Sequence, residues 1–160
     1  MAQHLHLFHC MNLTPNNSSA CIDVCNSLLR GEISAIETYA QAIDKFQGAS
    51  ELPILEKIRD EHVQSANRLR ENVKAMGGEA DQKSGAWGLF AKAVQGAAIL
   101  MGENSAQKAL LEGEEHGLKE YQEALDNEHV MPECKSMIRN ELLPKIEQHI
   151  ATLKMTSDRS

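Results

Sequence analysis

Between Ile22 and Ile43 the apolar positions Ile22, Cys25, Leu29, Ile36 and Ile43 recur three, four or seven residues apart, which places them on one face of a helix. The stretch PNNSSA ahead of them offers N-cap residues, and QGAS behind Phe46 reads as a turn, so a helix A is predicted between the two. A second series, Leu55, Ile58, His62, Ala66, Leu69, Val73 and Met76, advances in steps of three and four; it opens near Pro53 and stops at Gly77-Gly78. That is helix B. Helix C is predicted from about Ser105 to Asp126 with Leu111, Leu118 and Leu125 a heptad apart, and helix D from Pro132 past Leu142, Ile146, His149 and Leu153. Pro144, inside helix D, leaves the Asn140 carbonyl without its helical donor, so a kink or bulge is expected just before His149.

Between the hairpins runs a long connection from Gly77 to about Asn104, with a short amphipathic helix expected over Trp87 to Met101 as a lid on the bundle. Two helical hairpins and a long crossover predict an all-α four-helix bundle. The domain is expected over residues 18–155, with a flexible N-terminal tail at 1–17 and a C-terminal tail at 156–160.

Composition narrows the function classes. The chain has 160 residues, is 42% hydrophobic and only 4% aromatic, which suits one helical domain. Its net charge of -7, without a dense Lys/Arg cluster, argues against nucleic acid or an anionic membrane as partner. The most apolar run, GLFAKAVQGAAILMG, is short for a bilayer and carries Lys92 and Gln95, so no transmembrane segment is expected. Cys10, Cys21, Cys25 and Cys134 form no C-x-x-C pair and follow no secretory leader, which points to a reducing cytoplasm. Cys21 and Cys25, one turn apart, read as small core residues. His4, His6 and His9 beside Cys10 have a metal-binding composition, but read as part of a frayed tail.

The chemistry lies in a repeat. LRGEISAIETYAQAI at Leu29 to Ile43 returns at Leu111 to Leu125 as LEGEEHGLKEYQEAL, 82 residues later, superposing Glu32 on Glu114 and Tyr39 on Tyr121. At about 100° per residue each glutamate falls within roughly 40° of its helix's apolar centre, so both point inward. His62 and His149 are the polar intruders in the seams of helices B and D. Each hairpin therefore brings one inward carboxylate and one inward imidazole. Tyr39 and Tyr121, about two turns from the glutamates, read as core residues whose hydroxyls find partners. A stripe of small residues, Gly31, Ala35 and Ala42 on helix A matched by Gly113, Gly117 and Ala124 on helix C, predicts close contact between the two helices, with homodimerisation as its alternative use.

GEISAIETY resembles the first-helix motif of ferritin-like proteins such as bacterioferritin and rubrerythrin, and EGEEHGLKEY resembles their third-helix motif. From about Cys21 to Leu153 the chain is similar to small bacterial ferritin-like four-helix-bundle proteins of unassigned function. The resemblance implies a ferritin-like fold and a metal pair held by one Glu from each of two helices and a Glu-x-x-His motif from each of the others. Here Arg59 and Ile146 stand three residues before His62 and His149, so the two bridging carboxylates are missing. Asp60, Glu61 and Glu147 are expected to face elsewhere.

What remains is Glu32, His62, Glu114 and His149, a set suited to one divalent cation such as Fe, Mn or Zn. Bound haem is disfavoured, because no large aromatic or glycine-lined slot accompanies the histidines. The resemblance extends the expectation to oxidative or stress-related metal chemistry. The alternative is a metal-free buried network, with the glutamates pairing with protonated histidines or with Arg59, in a non-catalytic module acting through partner binding or dimerisation.

Overall fold

The computed structural model describes residues 15–85 and 103–157. Its elements are α1 (Pro15–Lys45), α2 (Leu52–Ala75), α3 (Glu103–Asp126), α4 (Pro132–Met137), a π-helical turn (Ile138–Leu142) and α5 (Leu143–Ser157). The last three follow one another without a break and form one rod, so the architecture is an all-α four-helix bundle of two hairpins. Among the described residues there is no strand, and no helix is long and apolar enough to cross a membrane. The expected tail with His4, His6, His9 and Cys10, and the expected helix over Trp87 to Met101, lie outside the described residues.

Local sequence sets the helix ends. Pro15 opens α1, Pro53 falls in the first turn of α2 and Pro132 opens α4, positions where a missing N–H costs no helical bond. α2 ends at Gly77, whose φ of +80° suits glycine; its N–H bonds the Lys74 carbonyl at 2.9 Å, and that of Gly78 bonds Val73 at 2.9 Å. At Gly78 a β-carbon would stand 2.8 Å from Ile22 Cγ2, so glycine lets the chain pass close over α1. Asn26 then holds this strand of chain at Glu79 and Asp81, Arg30 pairs with Asp81, and Ser84 donates to Glu37 at 2.9 Å. The bulge expected from Pro144 is the π-helical turn immediately upstream.

Packing divides the interior into two apolar clusters with a polar layer between them. One gathers Cys21, Cys25, Leu29, Leu69, Val73 and Ile138 at one end; the other gathers Ile43, Leu55, Ile58, Leu110 and Leu153 at the opposite end. The order in which each helix meets the clusters shows that α2 and α3 run against α1, whereas α5 runs with it. His62 and Glu114 fall between the clusters on their helices, Glu32 and His149 stand at the inner edge of the first cluster, and all four are buried. On α3 the seam is Leu110, Glu114, Tyr121 and Ala124, while the heptad residues Leu111, Leu118 and Leu125 are only partly buried and pack against its flank. With the glutamate and tyrosine turned to the centre, those leucines are rotated off it.

The expected close contact of helices A and C takes a different form. α1 packs along α2, and α3 along α5, far more extensively than α1 meets α3. Gly31, Ala35, Gly113 and Gly117 instead help to line a cavity of about 50 Å³ between α1 and α3, room for one or a few waters.

Candidate metal centre

Four helices each deliver one residue to the polar layer. His62 Nδ1 lies 2.7 Å from Glu32 Oε2, and its Nε2 lies 2.9 Å from Glu114 Oε1. His149 Nδ1 faces the other oxygen of Glu114 at 3.4 Å, and the two imidazole centroids stand 4.9 Å apart. Glu114 is thus the carboxylate common to both histidines. His62, Glu114 and His149 offer one donor atom each, all within 4.8 Å of one another; Glu32 joins them through His62.

The remaining nitrogen of His149 shows what the sequence reading missed. Its Nε2 lies 2.8 Å from Glu61 Oε2, a residue expected to face elsewhere. Relative to His62 that expectation holds, since neighbours on a helix diverge by about 100°. Glu61, however, reaches sideways to the histidine of the other hairpin, with its side chain only 23% exposed. The signal was present only as a carboxylate at the edge of an inward seam.

Arg59 turns the other way. Its guanidinium bonds Asp60 Oδ1 at 2.8 and 3.0 Å and its side chain is 32% exposed, so it does not supply the positive charge proposed for Glu32. At the matching position on α5, Ile146 is buried and lines the cavity.

The tyrosines belong to the layer as well. Tyr39 donates to Glu114 Oε1 at 2.6 Å and Tyr121 donates to Glu32 Oε1 at 2.6 Å. Each glutamate receives the hydroxyl of the opposite repeat. Together with Glu32, His62 and Glu114 the two rings line the cavity.

Electrostatics follows from burial and these partners. Burial alone would push the His62 imidazole down, but Glu114 and Glu32 outweigh it and raise its pKa to about 10. Burial would likewise raise Glu114, yet the charge on His62 and the hydrogen bonds from both histidines hold its carboxyl well below the usual range. Tyr39 and Tyr121 are pushed up by burial first, then by Glu114 and Glu32 respectively. Without a metal, His62 is therefore an imidazolium between two carboxylates.

A family model described as a domain of unknown function (DUF2383) matches residues 20–127, about two thirds of the chain. The chain belongs to the DUF2383 family. The match spans the first hairpin and α3, with Glu32, His62 and Glu114; Glu61 is inside it and His149 beyond it. No curated protein matches the chain.

The DUF2383 protein holds a second group of donor atoms at one end of the bundle. Cys21 and Cys25 of α1 meet Cys134 of α4, their sulfurs all within 4.8 Å of one another, and Cys21 Sγ lies 2.9 Å from Cys134 Sγ. The first two are core residues as expected. Their association with Cys134, 113 positions from Cys21, was hidden because nothing in sequence spacing marks it. Hydrogen bonds from Cys21 and Cys25, and then from Asn72, pull the Cys134 thiol down to about 3 against the opposing effect of burial. Hydrogen bonding to Cys134 pushes Cys21 and Cys25 up.

Proposed function

We propose that this DUF2383 protein binds one divalent transition-metal ion per chain in the middle of its bundle, through His62, His149 and Glu114. One observation carries the reading. Each histidine presents one nitrogen to Glu114 and rests the other on a separate carboxylate, Glu32 for His62 and Glu61 for His149. Metal-ligating histidines are oriented in this way, because the outer carboxylate fixes the ring and raises its basicity. Glu32, expected as a ligand, enters as the group that holds His62. Two imidazoles and one carboxylate suit Fe(II), Mn(II) or Zn(II) and leave coordination positions free.

The resemblance to ferritin-like proteins favours iron and oxidative chemistry. In support, the cavity beside Glu114 has room for a water-sized or dioxygen-sized ligand. The missing bridging carboxylates favour one ion rather than two.

A second reading rests on the same distances. Both nitrogens of His62 lie within hydrogen-bonding reach of a carboxylate, so an imidazolium can complete the layer without a cation. In that case the bundle is a non-catalytic module that works through partner binding.

Metal analysis of protein purified without a histidine tag, followed by calorimetric titration with Fe(II), Mn(II) and Zn(II), separates the readings. One ion per chain in the wild type and none in Glu114→Gln is the expected result. Two tightly held ions would overturn the single-ion reading. No binding by the wild type would leave the metal-free network as the function of the layer.

A further inference from the structure

The three-cysteine cluster lies apart from the polar layer. Cys25 is seven residues from Glu32, about 10 Å along α1. All three cysteines are fully buried. Around them Asn72 Nδ2 stands 3.2 Å from Cys134 Sγ and 3.4 Å from Cys25 Sγ, and the thioether of Met76 lies 3.9 Å from Cys134 Sγ. We propose that Cys21, Cys25 and Cys134, with Met76 as a fourth soft donor, form a binding site for a single Cu(I) ion.

Donor chemistry selects the ion. Among the described residues the cluster contains no imidazole and no carboxylate, and a thioether lies 3.9 Å from Cys134 Sγ. Zinc sites are completed by cysteine, histidine or carboxylate, whereas thiolate together with thioether suits Cu(I). Sulfurs bonded to one ion at about 2.3 Å stand roughly 4 Å apart, so loading requires Cys21 and Cys134 to separate by about 1 Å. The other cysteine sulfurs lie no more than 4.8 Å apart, so they need at most a small approach.

A disulfide explains less of the arrangement. It would use two of the three sulfurs and would give no role to the thioether or to an amide that points its N–H at two of them. An N–H directed at sulfur is how an outer partner stabilises a metal thiolate.

The test uses the full chain with Cys10→Ser, which removes the one cysteine outside the cluster. Protein refolded anaerobically with Cu(I), because the sulfurs are buried, is titrated with the copper(I) chelator bathocuproine disulfonate. One Cu(I) per chain is expected, with X-ray absorption showing sulfur neighbours alone. Cys134→Ala should lose on the order of 100-fold in affinity, and Met76→Leu about tenfold, the range over which even outer partners tune a metal site. Glu114→Gln should leave Cu(I) binding unchanged, so failure here and failure of the central metal site are separately visible. Circular dichroism confirms that each variant is folded; if Cys134→Ala is not, the absorption spectrum of the parent protein decides. Nitrogen or oxygen neighbours, tighter binding of Zn(II) than of Cu(I), or folded variants that keep parental affinity would overturn the proposal. So would a Cys21–Cys134 disulfide in protein kept reduced throughout.

Discussion

Tyr121 of α3 donates its hydroxyl to Glu32 of α1 at 2.6 Å, and Tyr39 of α1 makes the same bond to Glu114 of α3. Because α1 and α3 run in opposite directions, the duplicated glutamate–tyrosine spacing creates a reciprocal pair across a pseudo-two-fold axis rather than two separate local contacts. The repeat in sequence is thus a cross-link in space.

This reciprocity makes the two hydroxyls nearly equivalent energetically. A hydrogen bond to a charged group contributes about 1.5–3 kcal/mol, so Tyr39→Phe and Tyr121→Phe should each destabilise the metal-free protein by about that amount. Urea unfolding at pH 6 measures it. A pair of neutral substitutions would mean that the hydroxyls only fill space.

The raised pKa of His62 fixes a pH dependence. Its folded value of about 10 lies above the ordinary 6.5, so its stabilising contribution is complete below pH 6.5, erodes as pH rises and is gone above about pH 10. Glu114 works in the other direction: its contribution is present above the ordinary 4.5 and is lost as pH falls through its depressed value. Metal-free protein should therefore be most stable between about pH 4.5 and 6.5, and His62→Gln should flatten the alkaline limb of a melting-temperature profile. Metal binding must expel the imidazolium proton, so affinity should rise by about tenfold per pH unit over the range where His62 is protonated. Titration in buffers of different ionisation enthalpy counts that proton.

The bundle was legible because helical periodicity survives averaging over many residues: the seam of α2, from Leu55 to Val73, is buried as read. Four inward polar residues were legible for the same reason, since each breaks an otherwise apolar stripe. Glu61 and Cys134 were not. Their roles depend on which helix lies opposite, and a side chain that reaches across a helix boundary carries no periodic mark. Tyr39 and Tyr121 are core residues whose hydroxyls find partners, as read, but helical phase gives direction and not which partner. The direction of Arg59 was likewise open to a choice of rotamer that spacing cannot make.

Glu61 offers a test specific to the outer partners. It touches His149 and, more distantly, Lys57 at 3.8 Å. Glu61→Ala should leave the stoichiometry of central metal binding at one while weakening it by about 10- to 100-fold, as loss of a carboxylate that orients a ligand histidine does. Unchanged affinity would show that His149 is positioned by packing alone.

Ile146 marks the place where the site can be rebuilt. It is buried, lines the cavity shared with Glu32 and Glu114, and stands three residues before His149, so Ile146→Glu restores a Glu-x-x-His spacing on α5. In the metal-free protein the new carboxylate enters a layer already crowded with carboxylates, and an uncompensated buried charge of this kind costs about 3–5 kcal/mol. A divalent cation changes the sign of that interaction: the added oxygen becomes a ligand, and the repulsion among glutamates becomes attraction to a shared charge. The variant should therefore melt at a lower temperature than wild type without metal and show a larger rise in melting temperature on adding Mn(II) or Fe(II), since binding to the folded state alone stabilises in proportion to the logarithm of ligand concentration over Kd. Adding Arg59→Glu places a second carboxylate three residues before His62 and should raise the stoichiometry from one ion to two. Thermal melts with and without metal, paired with calorimetric stoichiometry, read both effects. A variant that is destabilised equally with and without metal would show that this face of the cavity does not open onto the ion.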